Sequence, residues 1–119
     1  MNKELIFLVI LDDTPEMNNA LRYAAKRSAR SDGRVALLYT FDTLEFSHWK
    51  AVEDIAEAES REEAESKIIE YENFILNFTN KKPKKFIMKG DRVECIINFL
   101  SDNKFISNFV LACSNSGSD

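Results

Sequence analysis

The sequence predicts an α/β protein with an open parallel sheet and helices on both faces. The first observation is an unbroken apolar run, LIFLVIL at residues 5–11, which is typical of a strand buried on both faces. The second is that short apolar runs recur at residues 35–41, 85–88 and 105–113. The third is that amphipathic helical patterns separate these runs, as in successive βαβ units with right-handed crossovers.

Composition and charge describe one ordinary globular domain spanning residues 1–119. Hydrophobic residues make up 45% of the chain and charged residues 30%, and the formal net charge is −4. Because nucleic acids and anionic membranes attract basic surfaces, this charge gives no general affinity for either. The N-terminal apolar run is too short for a signal peptide, and no run approaches the roughly twenty residues of a membrane span. We therefore expect a cytoplasmic protein.

Cysteine and histidine are too sparse for a structural zinc site. The two cysteines and the single histidine lack the short spacing of a ligand set: Cys95, Cys113 and His48. We expect both thiols to be buried as small apolar side chains. A redox role for Cys113 is the alternative, because it closes an apolar strand near the expected ligand crevice. The sequence predicts no metal site.

The first helix is predicted to follow the first strand directly. Thr14 supplies a hydroxyl at the N-cap, and the fixed φ of Pro15 suits the first helical position. Small apolar residues repeat at spacings of three and four through Ala29, which gives a thin face that can lie close to a sheet. Asp32 and Gly33 end the helix, with Gly33 as the left-handed residue.

The second helix is predicted to be very long, from Glu45 to Phe78. Its larger apolar residues are spaced for one face: Trp49, Val52, Ile55, Ile68, Tyr71, Ile75 and Phe78. The middle segment, residues 57–65, is interpreted as a solvated stretch in which Arg61 pairs with nearby glutamates. The KKPKK segment at residues 81–85 is interpreted as a solvated turn, with an anion-binding patch as the alternative.

The last third of the chain predicts a strand, a helix and a final strand. A tight turn follows the third strand and leads into a helix with Asp91 as N-cap and Glu94 in the capping-box position. The expected buried stripe of this helix is Val93, Ile96, Ile97 and Leu100. The fourth strand, residues 105–113, precedes a small polar loop of the kind that surrounds phosphates.

Asp12 and Asp13 fall where the first strand leaves the sheet. In open α/β sheets, ligands bind in the crevice outside the carboxyl ends of the strands, so these carboxylates are candidate ligand contacts. The structural alternative is that aspartates at strand ends accept hydrogen bonds from exposed N–H groups. A further alternative is the Mg²⁺ pair of a phosphoacceptor receiver domain. That fold needs an aspartate at the end of the third strand, where Lys89 stands, and its second helix is far shorter.

Four segments of the chain resemble, in order, the signature segments of the universal stress protein family: LDDTPEMNNAL, VALLYTF, KGDRVECII and FVLACSNSG. Together they span essentially the whole chain. The resemblance implies the adenine nucleotide alpha hydrolase-like fold, a parallel sheet in the order 3-2-1-4-5. It also implies that the last helix and strand of the family are missing here, in either a short member or a piece of a longer polypeptide.

The resemblance further implies an adenine-nucleotide site that acts in stress regulation without fast catalysis. In nucleotide-binding members, the carboxylate that ends the first strand contacts the nucleotide, and a Gly-rich loop after the fourth strand wraps the phosphates. By position, the roles fall to Asp12, Asp13, Thr14, Tyr39, Gly90, Ala112, Ser114, Ser116 and Gly117. The implied ligand is ATP, with Mg²⁺ offsetting the charge of Asp13.

A dimeric interaction module of the same fold, without a nucleotide, is the alternative function. ATP-binding members have a glycine at the exit from the fourth strand, where this chain has Ala112, and Gly117 is the only glycine in the loop that follows. A homodimer is expected in either case, and we expect it either to use the apolar edge of the fourth strand or to be poorly formed. The sequence pairs no nucleophile with a base, so we do not expect an enzyme.

Overall fold

Four parallel strands and three helices make up the part of the chain that the structure describes. The computed structural model describes residues 4–12, 14–42, 50–104 and 108–110. The strands are β1 (Ile6–Leu11), β2 (Arg34–Phe41), β3 (Lys84–Lys89) and β4 (Asn108–Val110). The helices are α1 (Pro15–Ser31), α2 (Lys50–Ile75) and α3 (Arg92–Asp102). This is the order of elements that the sequence predicts.

β1 lies inside the sheet, whose strand order is β3-β2-β1-β4. It pairs in parallel with β2 from Ile6 to Leu11 and with β4 from Phe7 to Val9. The chain moves from β1 outwards through β2 to β3 and then crosses back to the far side of β1. This reversal is the topological switch point at which open α/β sheets bind ligands. The predicted sheet is confirmed, and the described residues contain no further helix or strand after β4.

The two faces of the sheet are covered by different helices. Phe7, Val9 and Leu11 pack in a core cluster with α1 and α2, whereas the even-numbered residues of β1 pack in a second cluster with α3. All six residues of β1 are buried. This burial on two sides explains why the strand is apolar without alternation.

The end of α1 differs from the prediction in which residue is left-handed. Asp32 has φ 57° and ψ 33°, so the aspartate and not Gly33 adopts the left-handed conformation. The N–H of Gly33 donates to the carbonyl of Ser28 at 2.7 Å. A Cβ on Gly33 would lie 2.6 Å from the carbonyl oxygen of Leu5. Glycine is therefore needed here for space, because the chain passes close to the start of β1.

α2 ends before the predicted end at Phe78 and packs along only part of its described length. The described helix spans Lys50–Ile75, and the predicted helical residues 45–49 lie outside the residues that the structure describes. Its buried apolar residues begin at Ala64, whereas Val52 and Ile55 are 42% and 60% exposed. The expectation of one continuous buried face is therefore wrong for the first half of the helix. The reason is that the core cluster beneath α1 and α2 takes residues only from the second half of α2.

The buried stripe of α3 agrees with the prediction at two of its four residues. Ile96 and Leu100 are partly buried against the core cluster that contains Phe99, and Cys95 and Phe99 are fully buried. Val93 and Ile97 are instead 61% and 59% exposed. The ring of Phe99 packs edge-on against Phe86 of β3, with centroids 4.7 Å apart. The face of α3 that carries Phe99 thus packs on the sheet, and Val93 and Ile97 lie on the exposed side. The predicted N-cap is confirmed, because the Asp91 side chain accepts the N–H of Glu94 at 3.1 Å.

Candidate functional site

Asp12 is held in a defined turn at the carboxyl edge of the sheet. Its Oδ1 accepts hydrogen bonds from the backbone N–H of Thr14 at 3.1 Å and from the Thr14 hydroxyl at 2.7 Å. Its own N–H lies 3.2 Å from the sulfur of Met17. The structural role expected of an aspartate at a strand end is therefore present. Among the residues that the structure describes, none donates to the other carboxylate oxygen, Oδ2.

Thr14 occupies the N-cap of α1, but its hydroxyl does not cap the helix as predicted. The residue is extended, with φ −93° and ψ 158°, and its side chain makes no cap hydrogen bond. The hydroxyl donates a charge-assisted hydrogen bond to Asp12 Oδ1, and its oxygen accepts no backbone N–H of the first turn. The carbonyl of Thr14 accepts the N–H of Met17 at 3.1 Å. Thr14 thus orients Asp12.

A cleft of about 460 Å³ opens where β2 and β3 end. Its lining residues follow these two strands: Thr40, Phe41, Asp42, Gly90, Asp91, Arg92 and Val93. The N–H of Gly90 donates to the carbonyl of Phe41 at 2.8 Å, which joins the two strand ends. Gly90 has φ 136°, and a Cβ there would lie 3.3 Å from the sulfur of Cys95. The predicted site residue Gly90 therefore lines the cleft in a conformation that side chains rarely adopt.

The strand register brings Asp12 next to this cleft. Leu11, the last residue of β1, pairs with Tyr39, so Asp12 leaves the sheet at the level where β2 continues with Thr40. Neighbouring strands are about 4.8 Å apart. The carboxyl ends of β1, β2 and β3 thus form one continuous surface, which runs from Asp12 to Gly90.

Tyr39 is placed differently from the other predicted site residues. It is only 9% exposed and belongs to the core cluster with α1 and α2. The cleft is lined instead by the two residues that follow it, Thr40 and Phe41, which the sequence analysis missed. Strand alternation is the signal that could have found Thr40, because the neighbour of a core-facing residue points to the other face.

Phe41 is fixed by contacts with α2. The guanidinium carbon of Arg61 lies 5.2 Å from the centroid of the Phe41 ring, a cation–π arrangement. Glu57 accepts from Lys89 Nζ at 2.8 Å and lies 3.7 Å from Arg61, which confirms the predicted pairing of Arg61 with a nearby glutamate. These contacts bind the middle of α2 to the ends of β2 and β3.

The cleft carries more negative than positive charge. Burial raises the pKa of the Cys95 thiol, and the carboxylates of Asp91, Asp42 and Glu94 raise it further. Arg92 is the basic residue among those that line the cleft. Cys95 is buried, as predicted for a small apolar side chain. Within the described ranges, no group of three or more histidine, cysteine or acidic residues could hold a metal ion.

Several predicted site residues lie outside the residues that the structure describes: Asp13, Ala112, Ser114, Ser116 and Gly117. The same holds for His48, Trp49 and Cys113. The phosphate loop after the fourth strand therefore stays a prediction.

A second cleft, of about 360 Å³, lies at the opposite edge of the sheet. The last turn of α1 and the segment from Leu76 to Lys81 line it. Lys81 belongs to the KKPKK segment, and its ammonium donates to Glu4 at 2.8 Å and to the carbonyl of Asp32 at 2.6 Å. Because these acceptors already occupy it, the anion-binding alternative is not supported at Lys81. The carboxyl edge remains the candidate site.

The fold and its edge define a class: an open parallel α/β domain with a cleft outside the carboxyl ends of its strands. The sequence profile of the universal stress protein family matches residues 6–104. The chain belongs to the universal stress protein family. A search of curated protein sequences gives no match. None of the helices among the described residues is long and apolar enough to cross a membrane.

Solved structures share the fold at low sequence identity. Universal stress protein UspA from Lactobacillus plantarum is 18% identical, with a TM-score of 0.76 over 98% of this chain and 83% of its own. A universal stress family protein from Burkholderia pseudomallei is 18% identical, with a TM-score of 0.73 over 91% of this chain and 80% of its own. A universal stress protein in complex with cAMP is 11% identical, with a TM-score of 0.58 over 87% and 68%.

Proposed function

We propose that this domain binds an adenine nucleotide at the carboxyl edge of its sheet and acts in stress regulation without fast turnover. The observation that carries the proposal is the position of Asp12, whose carboxylate is oriented by Thr14 beside a cleft of about 460 Å³. Pockets that hold small ligands have volumes of roughly 300–1,000 Å³. The universal stress protein solved with cAMP supports the choice of ligand class.

Each part of a nucleotide has a chemical counterpart along this edge. Oδ2 of Asp12 would accept a hydrogen bond from a ribose hydroxyl, as carboxylates do in other α/β nucleotide sites. The ring of Phe41 offers an apolar surface for the base. The predicted loop of Ser114 to Gly117 would supply N–H groups to the phosphates. Asp42 and Asp91 make the cleft acidic, so a triphosphate would need Mg²⁺ to offset its charge.

Titration calorimetry and thermal unfolding with ATP, ADP and cAMP, each with and without Mg²⁺, test this proposal. A nucleotide at a hundred times its Kd would raise the free energy of unfolding by about 2.7 kcal/mol. Asp12→Asn keeps an oxygen for the Thr14 hydrogen bonds but removes the charge, and we expect affinity to fall by roughly tenfold, about 1.4 kcal/mol. Asp102→Asn, at the exposed end of α3, is the matched control.

The absence of both binding heat and a thermal shift at millimolar ATP with Mg²⁺ would overturn the proposal. Equal affinity of the Asp12→Asn variant and the parent would remove Asp12 from the site. A phosphate-release assay on the nucleotide-bound protein tests the expectation of slow turnover. Rapid hydrolysis would contradict it.

A homodimeric interaction module is the second candidate function. The observation that favours it is the position of β4, which ends the described sheet with β1 as its paired strand. Exposed strand edges pair readily with other chains. A protein that purifies without nucleotide, binds none and forms a dimer would support this candidate over the first.

A further inference from the structure

The outer surface of α1 is basic. The helix contains four basic residues and one acidic residue. Arg22, Lys26 and Arg30 repeat at a spacing of four, are exposed, and make no ion pair with a described residue. The ammonium of Lys26 lies 5.9 Å from the centroid of the Phe78 ring. Because the ring has no net charge, this contact does not neutralise the ammonium. Tyr23, on the same side, is 52% exposed and accepts a hydrogen bond from Arg27 at 3.2 Å.

The outer surface of α2 has the opposite charge. The helix contains nine acidic and three basic residues. Ile55, Glu59, Glu62 and Ile69 follow one another at spacings of four, three and seven, which places them on one face. The two isoleucines are 60% and 50% exposed, and Glu59, Glu62 and the nearby Glu70 are exposed without an ion pair to any described residue. This face therefore combines unpaired acids with exposed aliphatic side chains.

The two surfaces lie side by side on the same face of the sheet. α1 and α2 pack on one core cluster, and both connect consecutive parallel strands, so they run in the same direction. A two-fold axis parallel to the helices, lying in the interface plane above the groove between their outer surfaces, would stack α1 of one copy on α2 of the other, twice. Both helices end at the amino edge, where Asp32 and Leu76 line the same cleft.

Because α1 and α2 end at the same level, their positions along the helices determine which residues of the two copies would meet. Lys26 precedes the end of α1 by as many residues as Glu70 precedes the end of α2, so in the dimer Lys26 would lie level with Glu70 of the partner subunit. By the same count, Arg22 would lie within about one turn of Glu62 of the partner subunit. We propose that the α1 and α2 faces together form a self-complementary interface with a second copy of this chain. This surface differs from the β4 edge and does not depend on nucleotide binding.

The area of the α1 and α2 faces determines how tightly we expect the two copies to associate. α1 is about 25 Å long, and packed helices lie about 8–10 Å apart, so the pair presents a patch of roughly 25 by 20 Å. Two such patches bury on the order of 1,000 Å², which is the range of weak, transient complexes. Because the complementarity is electrostatic, we expect association that weakens with salt.

Sedimentation of the full chain over a range of concentrations, at about 50 mM and about 500 mM NaCl, is the first measurement. We expect a dimer at low salt that dissociates at least several-fold more readily at high salt. Arg22→Glu with Lys26→Glu makes both faces acidic, and Glu62→Lys with Glu70→Lys makes both basic. Each double variant alone should be monomeric.

Mixing the two double variants should restore a heterodimer, because each then offers the other an opposite charge on both helices. The control is Lys82→Glu with Lys104→Glu, which reverses two exposed charges on residues outside α1 and α2. Circular dichroism of every variant checks that it is folded.

Three outcomes would overturn the proposal. One is a monomer at every concentration at low salt. Another is a dimer that neither salt nor the charge reversals affect, which would assign association to another surface such as β4. The last is a monomer that binds nucleic acid and loses this binding in the α1 double variant, which would assign the basic face to a different partner.

Discussion

The ammonium of Lys81 lies 2.8 Å from Oε2 of Glu4, and this contact joins the loop before β3 to the residue that leads into β1. The other oxygen of the same carboxylate accepts from Arg34 Nε, on the first residue of β2, at 3.1 Å. One acidic side chain thus links the amino ends of three neighbouring strands. The Glu4 side chain is 32% exposed, so water screens both ion pairs.

These contacts make stability depend on pH in the acid range. The hydrogen bonds from Lys81 and Arg34 lower the pKa of Glu4 below its usual value of 4.5. A carboxyl group whose pKa is lower in the folded state stabilises the fold above the unfolded-state pKa. This stabilisation is lost as the pH falls through the folded-state value. Glu4→Gln should therefore unfold at a lower temperature than the parent near pH 7, with a difference that shrinks towards pH 3.

Glu65→Gln is the control for this measurement, because Glu65 is exposed and makes no ion pair with a described residue. Its unfolding temperature should follow that of the parent at every pH. If the difference between Glu4→Gln and the parent stayed constant down to pH 3, ionisation of Glu4 would not be its cause. Thermal unfolding in a series of buffers gives the comparison.

Gly33→Ala should be destabilising although Gly33 has no left-handed backbone. The new Cβ would meet the Leu5 carbonyl at 2.6 Å, and a backbone atom at the start of β1 cannot rotate away. We expect the free energy of unfolding to fall by about 1–3 kcal/mol, the usual cost of overpacking. Denaturant titration of the variant measures this change.

Gly90→Ala offers an informative comparison, because two effects combine at that position. The new Cβ would meet the Cys95 sulfur at 3.3 Å, and the backbone φ of 136° disfavours any side chain. Adding Cys95→Ala to Gly90→Ala should relieve the contact but leave a backbone cost of about 1–3 kcal/mol. If the double variant recovered the full free energy of unfolding, the positive φ at residue 90 would contribute nothing to the cost of Gly90→Ala.

The ion pair between Glu72 and Lys85 should show strong coupling. The Glu72 side chain is 11% exposed, and its Oε1 accepts from Lys85 Nζ at 2.9 Å. Lys85→Met should lower the free energy of unfolding by about 1–2 kcal/mol, because a largely buried carboxylate loses its cation while water replaces only part of the interaction. Adding Glu72→Gln should return much of that loss. Additive losses in a double-mutant cycle would contradict this coupling.

α3 provides a direct test of which of its side chains are buried. Phe99→Ala should cost about 3–5 kcal/mol, because the ring fills the core against Phe86. Ile97→Ser should change the free energy of unfolding by less than about 0.5 kcal/mol, because Ile97 is 59% exposed. If the two variants lost equal free energies of unfolding, Ile97 would be buried as the sequence analysis predicts.

Much of the fold could be predicted because β1 and β2 are buried on both faces and carry unbroken apolar runs. The burial of Phe99 and the exposure of Ile97 could not, because both residues are apolar in the sequence and only the packing of Phe99 on Phe86 of β3 shows which of them faces the core. The extent of α2 was similarly ambiguous. Helical spacing shows that Val52 and Ile55 share a face, but it does not show how far the sheet extends beneath them.

The candidate site was predictable at Asp12 and Gly90, which mark the points where two strands end. Thr40 and Phe41 were missed because a run of apolar residues does not reveal which members extend past the end of β1 into the cleft. The hydrogen bond from Thr14 to Asp12 was missed for a different reason. A threonine before a helix signals a cap, and only the three-dimensional turn shows that its hydroxyl reaches the carboxylate.

The pairing of Phe7 with Asn108 has a consequence for biosynthesis. β4 follows β2, α2, β3 and α3 in the chain, so one flank of β1 can be closed only after all of these elements have been synthesised. Until then, the N–H and C=O groups on that flank must bond to water or to another chain. Pairing between segments so distant in sequence is slow, so the nascent chain carries an open strand while the intervening elements are made. We expect chaperones that shield extended segments to act on β1 during this interval.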